Sequence, residues 1–172
     1  MFSGMFTLIS YDADGNEKFS QTIHNRLVDD GENFMLFQTF QNATAVNAAN
    51  VNIGSICVTD ATVVVAETEH ASDFDGDNGI GETNCQEDTT VTISGSTAVI
   101  GPITFSAGTH LGNGDIVKGI AICQNDATDD NDYTGCATEG IMFAVVDTSD
   151  VTVGSGETVD ITYTFDLSSA SD

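Results

Sequence analysis

Four cysteines, Cys57, Cys85, Cys123 and Cys136, have the widest chemical repertoire in this chain, because a thiolate can attack, ligate a soft metal or pair oxidatively. None stands in a CxxC spacing, so nothing in the linear pattern points to zinc. The even count favours two disulfides where conditions are oxidising. The natural pairing is Cys123 with Cys136 and Cys57 with Cys85, each closing an acidic excursion; four buried, inert thiols are the alternative. A second candidate is Asp73-Phe74-Asp75-Gly76-Asp77-Asn78-Gly79, whose alternating carboxylates resemble the opening of an oxygen-ligand Ca²⁺ loop. Asp73, Asp75, Asp77 and Glu82 are the candidate ligands. The loop is not an EF-hand, because Asn78 stands where the turn glycine belongs and Asn84 where the bidentate glutamate belongs, so a solvated acidic turn is the competing reading. The expectation is no cofactor, with Ca²⁺ at this loop as the one candidate.

Catalytic groups are not assembled by any motif. His24, His70 and His110 are scattered, and no Gly-x-Ser-x-Gly elbow, phosphate-cradling glycine loop or HExxH is present. With 27 Asp and Glu, any chosen carboxylate pair carries no information. The expectation is a protein that is not an enzyme.

The elements that would position these residues read as strands. Asp160-Ile161-Thr162-Tyr163-Thr164-Phe165-Asp166-Leu167 alternates apolar and polar residues with period two, as a half-buried strand does. Ile141–Val146 is a continuous apolar run, expected to be covered on both faces. From Asp115 to Cys123 the small residues gather on one side, which predicts close approach of another layer. Met5–Tyr11 and Glu17–His24 flank an Asp/Gly/Asn turn and read as a hairpin. Further strands are expected near Val51–Val58, Ala61–Glu67, Thr89–Ser94 and Ala98–Ser106. A single helix is predicted near 30–41, with Asp29 and Glu32 as a capping pair and Phe34, Leu36, Phe37 and Phe40 as its apolar face. The fold class that follows is mainly β: one domain over 1–172, an antiparallel β-sandwich or jelly-roll-like body with one short helix and acidic excursions near 67–88 and 124–139.

Charge narrows the partners. Three Lys and Arg against 27 Asp and Glu give a formal charge of −24, which opposes binding to nucleic acid and to anionic membranes. No apolar run has the length of a membrane-spanning helix. The opening Met1-Phe2-Ser3-Gly4-Met5-Phe6 lacks the basic and apolar regions of a secretory signal, so the expectation is a soluble protein that stays where it is made or leaves by another route, such as host lysis.

The order of motifs carries a resemblance. Ile23-His24-Asn25-Arg26-Leu27-Val28-Asp29-Asp30-Gly31, then a short helix, then Val51-Asn52-Ile53-Gly54, then Val117-Lys118-Gly119-Ile120 ahead of the central strand Gly140–Val146, and finally Gly156-Glu157-Thr158-Val159-Asp160-Ile161-Thr162-Tyr163-Thr164-Phe165, is similar to a group of small virion proteins of tailed bacteriophages. The two acidic excursions depart from it. What the resemblance implies is a β-sandwich structural protein of the virion, a head-decoration (cement) protein bound to the major capsid protein or other virion proteins and oligomeric on the particle. A tail or fibre accessory role and a Ca²⁺-dependent carbohydrate- or receptor-binding module are the alternatives. On the decoration reading the contact face is the less acidic side, with Met1, Phe2, Phe6 and Arg26 as candidates.

Overall fold

The computed structural model describes residues 3–40, 53–66, 68, 74, 85–88, 91–124, 136 and 141–167. The chain opens with the predicted hairpin, Ser3–Tyr11 (β1) and Glu17–His24 (β2). At its tip the Asp12 Oδ1 accepts from the backbone N–H of Asp14 at 2.9 Å and of Asn16 at 2.8 Å, and Gly15 takes φ 82°. An Asx turn followed by a left-handed glycine reverses the chain here. A two-residue strand, Arg26–Leu27 (β3), leads into the helix Asp29–Phe40 (α1). Then come Ile53–Thr59 (β4), Cys85–Glu87 (β5), Thr92–Ser94 (β6), Thr97–Ser106 (β7), Asp115–Gln124 (β8), Met142–Val153 (β9) and Thr158–Asp166 (β10).

These strands form two five-stranded antiparallel sheets, ordered β2-β1-β10-β7-β6 and β3-β9-β8-β4-β5. The main core lies between them, with Phe6, Leu8, Phe105, Ile161 and Tyr163 from the first sheet against Ile56, Val58, Ile120, Ile122, Phe143 and Val146 from the second. Period-two burial on β10, where Val159, Ile161 and Tyr163 point inward, follows the predicted alternation. Aromatic rings lock one end. Phe6 and Tyr163 have centroids 4.7 Å apart, and Phe143 meets Phe165 edge-on at 5.2 Å.

The second sheet is buried on both faces. A smaller cluster of Val28, Cys57, Phe74, Cys85, Ala121, Cys123, Cys136, Met142 and Val145 covers its outer side. That is why 141–146 is apolar without alternation. The small residues of β8 do face a close neighbour: a Cβ built on Gly119 would collide with Val63 Cγ2. Likewise a Cβ on Gly31 would collide with the Phe143 carbonyl oxygen, so α1 lies against β9 at a distance only glycine permits.

Several boundaries differ from the sequence expectation. Asp29 is the first helical residue and not the cap, so it and Asp30 and Glu32 act on the helix dipole from within the first turn. The expected strand at 61–67 is absent over 61–66; β5 has taken the free edge of β4, and Val63 folds over the outer face while Val64 and Val65 are exposed. Leu167, placed on the apolar face of the last strand, lies beyond its end and is 50% exposed. In the other direction β9 runs on through Val153, past Asp150 at φ 52°, because a residue in the left-handed region lets the strand bend and resume.

Candidate functional site

Among the described residues, two places gather chemically capable side chains: the outer face of the second sheet, and the corner where the chain passes from one sheet to the other.

On the outer face, β4 and β5 set Cys57 directly opposite Cys85 in register, with Cα atoms 4.0 Å apart, and a disulfide joins them. Two residues along β8 from Ala121, the neighbour of Cys57, Cys123 is joined to Cys136 by a second disulfide. The Sγ atoms of Cys57, Cys123 and Cys136 all lie within 4.8 Å of one another. The two excursions, far apart in sequence, are therefore pinned at one spot. Phe74, buried in the same cluster, adds a third anchor from the middle of the first excursion. Because neither excursion has enough apolar residues to form its own core, the bridges and Phe74 tie them to the sheet that does. Residues 57 and 123 share one strand-pair face by period-two geometry, a proximity that becomes legible only once the β4–β8 register is known.

At the corner, Asn25 donates its backbone N–H to the Gly4 carbonyl at 3.1 Å and its side-chain amide to the Tyr163 hydroxyl at 3.5 Å. Burial pushes the Tyr163 phenol well above its ordinary value of 10.0, and the Asn25 contact offsets only part of that shift. Gly4 has no room for a Cβ beside these two side chains. Asn25 and Tyr163, which belong to the two motifs that carry the resemblance, thus meet each other across the fold. Their role is to hold the junction between sheets.

The remaining candidates distribute as follows. Phe6 is fully buried against Tyr163, so it is a core residue and not part of a contact surface; its place in an alternating strand whose inward face it occupies is the reason. Arg26 lies in β3, its backbone paired with Val145. Met1, Phe2, Asp73, Asp75, Asp77 and Glu82 lie outside the described residues. Among the described residues the sequence reading missed an exposed apolar pair, Ile93, 76% exposed, and Leu167. Ile93 pairs with Ala98, Ala98 with Phe165 and Phe165 with Gly4, so one row of the first sheet runs from Ile93 to the start of β1. Leu167 lies two residues beyond Phe165, past the end of β10, its N–H bonded to the Ser96 carbonyl at 2.9 Å.

Fold and site together define a β-sandwich of two antiparallel sheets with a doubly disulfide-clamped outer face. Comparison with family models, with curated proteins and with solved structures returns no match.

Proposed function

We propose that this protein is a non-enzymatic structural component of a tailed-bacteriophage particle, a decoration protein that binds the major capsid protein shell. The observation that supports this reading most directly is that the motifs carrying the resemblance are framework residues. Asn25 and Tyr163 meet at the sheet-to-sheet corner, and Gly31 seats the helix, which is how a shared scaffold, as opposed to a shared active site, leaves its trace in a sequence. A body stiffened by two sheets and two bridges suits a role in which the protein is loaded mechanically and turns nothing over.

The candidate contact surface is the end of the first sheet where β1 begins. Ser3 pairs with Asp166, Leu167 follows, and Ile93 stands in the adjoining row, so apolar side chains are exposed there beside the segment that leads in from Met1 and Phe2. The high negative charge of the whole chain disfavours capture of nucleic acid by a protein sitting outside a DNA-filled shell. Mass spectrometry of purified particles tests the reading. The protein is expected at a fixed stoichiometry of many copies per shell and is expected to bind heads that lack it. Its absence from intact particles, with no binding to such heads, would refute the proposal. If the heads bind it, an I93D/L167D variant should lose that binding while keeping its fold.

A further inference from the structure

The four sulfurs gathered on the outer face of the second sheet can do more than pair. We propose that when both disulfides are reduced, Cys57, Cys85, Cys123 and Cys136 form a buried tetrathiolate site for one zinc ion. A tetrahedral zinc with bonds of about 2.3 Å needs its four sulfurs about 3.8 Å apart. Three of them already lie within 4.8 Å of one another, and the fourth, Cys85, is the strand partner of Cys57. On reduction the two sulfurs of each former bond must part to the tetrahedral spacing, Cys57 must draw about 1 Å closer to Cys123 and Cys136, and Cys85, which lies outside the 4.8 Å group, must turn toward the other three by a χ1 change. The ligands come from three elements, β4, β5 and β8, and from the segment bearing Cys136, so the ion would tie together the same pieces that the disulfides do.

The surroundings suit a structural site. The sulfurs are buried in one cluster with Val28, Phe74, Ala121, Met142 and Val145, and four thiolates would fill the tetrahedral shell, as in a structural zinc site. The overall charge of −24 concentrates cations around the protein. Absence of any CxxC spacing hides the site from the sequence, because the sheet register and not local chain geometry brings the ligands together.

The chemistry balances with a trialkylphosphine as reductant. Each phosphine gives two electrons to one S–S bond, water supplies the oxygen of the phosphine oxide, and its two protons end on the freed sulfurs. Four S–H groups then lose their protons to solvent as four Zn–S bonds form. The inference is independent of the proposed virion role and would hold for the protein in any thiol-reducing compartment.

Phosphine-reduced, full-length protein titrated with Co²⁺ provides the test. Expected are the visible ligand-field bands and the near-ultraviolet sulfur-to-cobalt charge-transfer band of tetrahedral thiolate cobalt, saturating at one ion per chain and bleached by one equivalent of Zn²⁺. Zinc at 100-fold over its dissociation constant should raise the melting temperature of the reduced protein by about 5–10 °C. The C123A/C136A variant, which keeps its other two thiols, should lose the tetrathiolate spectrum. If the reduced apoprotein is unfolded, metal should restore the strand signal by circular dichroism. Three results would each overturn the proposal: no thiolate bands with the reduced protein, unchanged bands in C123A/C136A, or equal bands in concentrated urea, which would show that the unfolded chain and not the sheet arranges the sulfurs.

Discussion

Removing the two disulfides together should cost the protein nearly as much as its core can spare. The bridges close loops with sequence separations of 28, for Cys57–Cys85, and 13, for Cys123–Cys136, and the loops do not overlap. Chain-entropy arithmetic gives about 3.6 kcal/mol for the first and about 2.9 kcal/mol for the second, hence about 6.5 kcal/mol for both. A domain of this size is stable by about 5–15 kcal/mol in total, so the quadruple variant should be close to unfolded at room temperature while each double variant remains folded. At roughly 2–4 °C per kcal/mol, C57A/C85A and C123A/C136A should each melt about 6–14 °C below the parent. Urea unfolding followed by circular dichroism, in the presence of a chelator, measures these differences, and the reduced parent should match the quadruple variant. The two lesions should also differ in place. C123A/C136A releases Cys136 from β8, whereas C57A/C85A removes the covalent link between β4 and β5, so hydrogen exchange should rise at the β8 end in the first and at the β4–β5 pairing in the second. A change below about 0.5 kcal/mol on removing either pair would refute the reasoning, since the excursions would then be held by something other than their bridges.

Alkaline titration should expose Tyr163. Its phenol titrates higher in the folded than in the unfolded state, so stability is whole below pH 10.0 and declines as pH rises above it; chemical denaturation of Y163F against the parent across that range should show a flatter limb in the variant. At neutral pH the same variant leaves the half-buried Asn25 amide without its hydroxyl partner and should lose about 1 kcal/mol by urea melt. Asp12 and Glu157 have the opposite sign. Hydrogen bonds from Asn16 to Asp12 and from Lys18 to Glu157 lower both below their ordinary 3.8 and 4.5, so the stability they contribute is present above those values and is lost as pH falls through the lowered ones; the acid limb of D12N/E157Q should be flatter than the parent's. Adding a methyl group in G31A pushes α1 off the Phe143 carbonyl and should cost about 1–3 kcal/mol, read by thermal melt. Among the described residues the buried Ser10 hydroxyl has no hydrogen-bond partner, so S10A should be neutral or stabilising by up to about 1 kcal/mol, also by thermal melt.

The sandwich was legible where burial is one-sided. The alternation of β10 and the turn chemistry of Asp12 to Asn16 announce themselves locally, because period and turn are properties of neighbouring residues. The continuous run that became the start of β9 was readable as a doubly covered strand for the same reason. Edges were not legible. Ala61–Ala66 has strand composition, yet the short β5 holds the place beside β4 that it would have needed, and competition for one edge is a tertiary matter. The candidate site divides the same way. Each disulfide follows from the one excursion it closes, but the convergence of both bridges follows from β4–β8 register, and the meeting of Asn25 with Tyr163 spans nearly the whole chain.

The long strand β9 carries one more consequence. Beyond Val145, its side facing away from β8 has no strand partner among the described residues, and such a bare row of amides invites stacking into fibrils wherever many copies crowd together. Asp147 puts an exposed charge there, the Ser149 amide is occupied by the Gln21 side chain at 3.2 Å, and Asp150 at φ 52° kinks the ribbon out of register. Three interruptions in four residues make this edge of β9 a poor template for a strand of another copy, which is how a sheet protein held at high local concentration keeps such an edge from pairing.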